Sequence, residues 1–299
     1  MSQLLIGFFL GIIATFFFAL NNIVIARGLK TEKLFEGIFV TLIFSSLIIF
    51  VFSLLTGEFF QIFALSPIAW LLFIATGLIN FVLARTFNYT GIALIGPSRN
   101  SAIVSTQILF AAVFGFVFLA EKLDLYTGIG VILAFIGIFI VSMSQKKQNK
   151  EFNFRGILYA LFTAFLVGIA IIIIKEADNV SNLPIDGALI SYCTAVLVYA
   201  PVASIKEIKS TNKFTKNIFF LLATAGILSG LAQIARYTSL KDAPVVLIAS
   251  IIATAPLATM IVSFFVNKKN EILSKELAMG SVITVIGVIL IILSLGSIL

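Results

Sequence analysis

The chain has 299 residues, of which 61% are hydrophobic and only 11% charged, with a mean hydropathy of +1.17 and a formal net charge of +7. That usage lies far outside soluble domains, so the basic excess does not point to nucleic acid. With no histidine and a single cysteine, Cys193, the chain supports neither a disulfide framework nor a metal site, and no cofactor is expected.

Crossing about 30 Å of hydrocarbon takes about 20 apolar residues as a helix. Taken in order, the apolar stretches predict five spans at 4–26, 35–55, 68–90, 97–119 and 126–144. A lysine-rich linker over 145–155 separates them from five more at 156–174, 185–205, 218–240, 245–266 and 277–295. The first stretch has no basic region before it and no small-residue cleavage site after it, so it is read as a retained helix. Glu58 with Phe59, Phe60 and Phe63 predicts a short segment lying in the interface. Runs such as 39–55 are apolar almost without interruption, unlike the alternating strands of a membrane barrel. The expected fold is an all-α integral membrane protein with ten transmembrane helices.

The second five spans repeat the first. Glu121, Gly130 and Gly137 recur 150 residues later as Glu271, Gly280 and Gly287, and Tyr89 and Thr90 recur 148 residues later as Tyr237 and Thr238. An odd number of spans per unit makes the copies enter the bilayer from opposite sides, the inverted-repeat plan of many secondary transporters. The predicted domains are therefore residues 1–149 and 150–299, two inverted five-helix repeats. Of the 20 lysines and arginines, fourteen fall in loops one, five, seven and nine, which the positive-inside rule makes cytoplasmic, with both termini outside.

All 13 acidic side chains fall in loops or at span ends, so no carboxylate is placed near the bilayer centre. This weakens a carrier of organic cations, or one that moves protons on an embedded acid. The spans hold instead Arg85, Arg99 and Arg236, with Asn21, Asn22, Asn80, Asn88, Asn100, Gln107 and Gln233. An ionised group in a span costs about 2.5–3.5 kcal/mol on insertion scales, so these residues are expected to face a cavity. Arg85, Asn88 and Tyr89 match Gln233, Arg236 and Tyr237 at an offset of 148, and the spacing i, i+3, i+4 sets each trio on one helical stripe. Two such stripes could hold a carboxylate or phosphate through charge-assisted hydrogen bonds. The alternative is that Arg85 and Arg236 snorkel to lipid headgroups.

Asn22, beside Asn21, and Gln107, on one face with Asn100, read equally as cavity walls or as hydrogen bonds between packed helices. The glycine pairs Gly130 with Gly137 and Gly280 with Gly287 predict close helix packing. Pro256 predicts a kink in the ninth span.

The five-plus-five plan, residues 97–121 and 255–271, and the glycine-bearing helix after each resemble the drug/metabolite transporter superfamily, as two tandem EamA-type domains. The resemblance implies a ten-helix carrier, not an enzyme, with a central cavity lined by spans one, three, four, six, eight and nine. It implies that Asn22, Arg85, Tyr89, Gln107, Gln233, Arg236 and Tyr237 lie at or near that cavity. Many members of that family have cytoplasmic termini, contrary to the charge count. The expected function is a secondary transporter that moves a small anionic or zwitterionic metabolite, an amino acid or related carboxylate, by alternating access in the direction of export. The alternative cargo is a phosphorylated or nucleotide-type metabolite or another drug-like solute, and a membrane sensor or lipid enzyme is a further alternative. The expected setting is multi-pass in a prokaryotic plasma membrane, as monomer or homodimer, with the bilayer and a small solute as partners.

Overall fold

The computed structural model describes residues 2–28, 34–120, 124–144, 153–209, 215–266 and 275–296, and every regular element among them is helical. The repeat markers Glu121 and Glu271, most of the linker and most of the loop lysines lie outside the described residues. The helices are α1 (Ser2–Gly28), α2 (Leu34–Thr56), α3 (Pro67–Ile95), α4 (Pro97–Val104), α5 (Gln107–Leu119) and α6 (Leu125–Ser144), then α7 (Phe154–Ser181), α8 (Pro184–Lys209), α9 (Lys216–Asp242), α10 (Val245–Ala253), α11 (Ala255–Val266) and α12 (Lys275–Gly296). Six of them are long and apolar enough to cross a membrane. Bulky apolar side chains cover the outside of the bundle: Phe9, Phe116, Phe162 and Leu293 are all more than half exposed. Such a surface would aggregate in water and is the expected face toward lipid. The chain is a multi-pass, all-α membrane protein.

The glycine pairs seat the last helices of the two halves against each other. A Cβ on Gly130 would stand 2.7 Å from the Gly287 carbonyl, and one on Gly137 2.6 Å from the Gly280 carbonyl. Because 130 faces 287 while 137 faces 280, α6 and α12 run antiparallel, with no room for side chains along the seam. Polar groups close one end of it. The Thr127 and Ser294 hydroxyls lie 2.9 Å apart, and Asp124 accepts from Ser294 Oγ at 2.7 Å and from the Thr127 N–H at 2.8 Å. Those donors hold the half-buried Asp124 carboxyl below its ordinary value of 3.8.

The halves interlock through α9, which packs on α1 and α2. Gly226 and Gly230 fit against the backbone of Thr41 and Ser45, and Ser45 Oγ donates to the Gly226 carbonyl at 2.7 Å. In the other direction α7 lies against α3 and α5, where Gly168 admits Phe110.

Two breaks depart from straight spans. The fourth span splits at Ser105 and Thr106, where the chain tightens into i→i+3 bonds, Thr106 N–H to Ile103 O (3.0 Å) and Ile108 N–H to Ser105 O (3.2 Å). The ninth splits at Thr254 in the same way, with Leu257 N–H donating to Thr254 O at 2.9 Å. Pro256 therefore stands in the first turn of α11, where a missing N–H costs nothing, rather than inside one kinked helix. The breaks meet: the Ala253 carbonyl accepts from Ser105 Oγ at 3.0 Å. A third irregularity is the π-helical stretch Gly77–Ala84 within α3. Its carbonyls find partners on other helices, Val82 O from Tyr199 OH (3.3 Å) and Ala84 O from Thr163 Oγ1 (3.5 Å).

Between α2 and α3, residues Glu58–Ala64 form a 3₁₀ helix that exposes Phe60 and Phe63, on the segment expected in the interface. Glu58 reaches across the halves and accepts the N–H groups of Ile185 (2.9 Å) and Asp186 (3.1 Å), capping α8. Burial pushes the Glu58 carboxyl above 4.5, partly opposed by those two N–H groups. Two acids at span ends, Asp178 and Asp186, are buried despite their position, and Asp186 accepts from Ser53 of α2.

Candidate functional site

A cavity of about 140 Å³ lies between the two halves. One water needs roughly 10–15 Å³ measured in this way, and an engineered cavity of about 150 Å³ takes a benzene-sized guest. The space therefore suits a solute of roughly six to ten heavy atoms.

The first half contributes Asn21 and Asn22 from the last turns of α1, Asn80, Arg85, Asn88 and Tyr89 from α3, and Asn100, Ser101 and Gln107 from the broken fourth span. The second half contributes Thr163 and Val167 from α7, and Ser229, Gln233 and Arg236 from α9, with Ile252 and Ala255 beside the break at Thr254. No aspartate or glutamate lines it among the described residues. Of the expected site residues, Asn22, Arg85, Asn88, Tyr89, Gln107, Gln233 and Arg236 come together here. Tyr237 does not: it is fully buried inside the second half, where its hydroxyl donates to Ser191 Oγ at 3.2 Å. One turn of α9 separates the two environments. The side chain of Arg99 lies outside the described residues.

Both arginines are inside the protein. Arg85 is 8% exposed and Arg236 3%, so neither reaches the headgroups and the snorkelling alternative falls away. Their surroundings differ sharply. Arg85 Nη2 donates to Ser229 Oγ at 2.6 Å and to Tyr192 OH at 2.9 Å, and Nη1 lies 3.5 Å from Thr41 Oγ1. Its guanidinium also stands 5.2–5.8 Å from the ring centres of Tyr192, Phe81 and Tyr89, within the range of cation–π attraction. Arg236 has no such shell: its buried Nε and Nη2 find no hydrogen-bond partner among the described residues. Four amide atoms of the lining are in the same condition, Asn21 Oδ1, Asn80 Nδ2, Asn100 Oδ1 and Gln233 Oε1, and so is the Tyr89 hydroxyl. Asn88 Oδ1, by contrast, accepts from Asn100 Nδ2 at 2.5 Å across the turn at Gly96.

Buried polar groups are nearly always paired, and a buried charge without a partner costs several kcal/mol. A cluster of unpaired donors and acceptors around one guanidinium is therefore a place where a polar solute gains more than it loses on leaving water. The arrangement can bind and orient an anionic group. Among its described lining residues there is no acid–base pair and no nucleophile held by a base. Sequence reasoning missed Tyr192 and Ser229. Ser229 could have been found by extending the stripe Gln233, Arg236 one turn backward; Tyr192 carries no such signal in its apolar span.

The EamA-like transporter family model matches residues 5–143 and again residues 154–293. A solved structure described as "Crystal structure of protein" aligns over 97% of this chain and 96% of its own, with a TM-score of 0.71 at 16% identity, a likeness of fold alone. No curated protein matches the chain. With a tandem match over nearly its whole length, the chain belongs to the EamA-like transporter family, membrane transporters of the drug/metabolite transporter superfamily.

Proposed function

We propose that the protein is a secondary transporter that moves a small anionic or zwitterionic metabolite, an amino acid or related carboxylate, across the plasma membrane by alternating access. The observation that carries this reading is the buried Arg236 guanidinium, whose Nε and Nη2 have no partner among the described residues, facing a cavity whose described lining holds no acid, at the junction of two interlocked halves. A carboxylate there would convert an uncompensated charge into a bidentate, charge-assisted pair. The volume of about 140 Å³ favours a solute of few heavy atoms over a nucleotide-sized one.

The polar walls also support a direction for the opening. Asn21 and Asn22 close α1 next to loop one, while Asn88 and Asn100 flank loop three. On the charge count both loops are cytoplasmic. The opposite end is tied by Glu58 to α8 and by Ser53 to Asp186. The form described is thus read as facing inward, and rocking of one half against the other would break those ties and open the far side.

The test is a thermal-shift panel of amino acids, organic phosphates and amines on the purified protein, followed by uptake in proteoliposomes. A ligand of the native state raises stability by mass action, so small carboxylates and zwitterions are expected to raise the melting temperature and to be taken up. Stabilisation and uptake confined to the amines would overturn the reading.

A further inference from the structure

Building on the carrier reading above, we infer that, of the two arginines described at the cavity, Arg236 reads the charge of the solute and Arg85 is a positioning residue committed to joining the halves, and that the transporter therefore selects singly charged carboxylates over dianions and phosphate esters. Three observations converge. The donors of Arg85 point to Ser229 and Tyr192 in the second half and to Thr41 in the first, and its faces meet three aromatic rings. Recruiting that guanidinium to a ligand would break two hydrogen bonds from a charged donor and leave the Tyr192 and Ser229 hydroxyls only their own 3.0 Å contact. Arg236 is equally deep, and nothing among the described residues needs to be released before it can pair.

The neutral atoms around it complete the pattern. Gln233 Oε1 and Asn21 Oδ1 are unpaired acceptors and Asn80 Nδ2 an unpaired donor, so they can receive the uncharged or ammonium portion of a solute, but they cannot neutralise a second negative charge. With one available cation and no acid among the described lining residues, a monoanion enters at balance. A dianion brings a second charge that no described lining residue can pair, and carries its desolvation penalty. The apolar side of the cavity, Phe18, Val104 and Ile252, would accept a short aliphatic portion.

The inference makes opposite predictions for the two arginines before any ligand is added. Removing a partnered charge destabilises, whereas removing an unpartnered buried one relieves a cost, as at many binding sites that trade stability for function. In the full-length protein in detergent, Arg236→Met is expected to raise the melting temperature by about 2–4 °C and Arg85→Met to lower it by at least as much; should Arg85→Met fail to fold, Arg85→Lys supplies the comparison.

The same samples are titrated with butyrate, succinate and inorganic phosphate at constant ionic strength. Wild-type protein should be stabilised most by butyrate. Arg236→Met should lose the response, and Arg236→Lys, a point charge without the planar fork, should keep one weakened by about tenfold. A fall in melting temperature for Arg236→Met makes that arginine structural and overturns the inference. Preference for succinate or phosphate, lost equally from both arginine variants, indicates a two-arginine clamp; it overturns the inference while leaving an anion carrier in place. Silence of all three anions together with stabilisation by amines sinks the carrier reading itself, and silence in every arm overturns the inference.

Discussion

The third and eighth spans carry polar trios at matching positions, Arg85, Asn88 and Tyr89 against Gln233, Arg236 and Tyr237, yet the two arginines end in different states. On α3, Arg85 donates to Tyr192 and Ser229 and Asn88 accepts from Asn100, while the Tyr89 hydroxyl and Asn100 Oδ1 have no partner among the described residues. On α9, Gln233 and Arg236 keep unpaired atoms in the cavity. The neighbouring segment explains much of the contrast. The helix after α3 reads PSRNSAIV and supplies Asn100, whereas α10 reads VVLIASIIA, and its one polar side chain, Ser250, donates to its own Val246 carbonyl at 2.6 Å. The backbone differs too, since α3 carries the π-helical stretch Gly77–Ala84 immediately before Arg85 and α9 is α-helical throughout. The repeat thus preserves the position of a polar stripe but not its residues or their partners.

The contrast breaks most directly at Arg85. Arg85→Ala removes two short hydrogen bonds from a charged donor and leaves the Tyr192 and Ser229 hydroxyls only each other, at 3.0 Å, so unfolding stability should fall by about 3 kcal/mol. Chemical denaturation in detergent would show it, and an unchanged midpoint would mean that Arg85 is not the joint described here.

A smaller effect is expected at Gly77, where a Cβ would stand 2.5 Å from the Ser191 carbonyl. Gly77→Ala should wedge α3 away from α8, the helix that carries Tyr192, at a cost of about 1–3 kcal/mol. Loss of stability together with loss of transport is the expected outcome, and a neutral change would show that the close approach does not position Arg85.

Next comes the amide pair. Asn100→Ala leaves the Asn88 oxygen unpaired and should cost about 1–2 kcal/mol, and adding Asn88→Ala should not double that loss, because the second change removes the stranded group. A double-mutant cycle in the same denaturation assay measures the coupling; simple additivity would deny the pair.

The mildest effect is one of pH. Glu58 caps the helix that bears Tyr192, and burial raises its carboxyl above 4.5 in the folded protein. A group with a raised folded value binds more protons folded than unfolded, so its contribution to stability is greatest at low pH and declines as pH rises from 4.5 through the folded value. Glu58→Gln should flatten that part of the melting-temperature profile. A profile unchanged by the substitution would remove the assignment.

Much of this was legible in the residues. Continuous apolar runs announce helices in lipid, and recurrence at 148–150 residues announces duplication. The polar stripe is visible because three groups share one face in both copies. The glycines of α6 and α12 were readable as packing, though not that each pair faces the other. What escaped is non-local. The bonds from Arg85 to Tyr192 and Ser229 join residues 107 and 144 positions apart, and no periodicity links them. The break at Ser105 and Thr106 has no proline to announce it, because it is held by a hydroxyl bond to Ala253 on another helix. Tyr237 was grouped with the site by its spacing, but the end of the stripe turns into the second half, where Ser191 takes its hydroxyl.

The most direct test of a solute passing Arg236 is counterflow. Proteoliposomes loaded with the singly charged carboxylate that most stabilises the protein would be diluted into a labelled trace of the same compound, with wild type and Arg236→Lys compared at equal incorporation. Wild-type vesicles should transiently accumulate label, and the variant should do so at a rate at least about tenfold lower. Equal accumulation by both, or none by the wild type, would contradict a carrier that reads its cargo through this arginine.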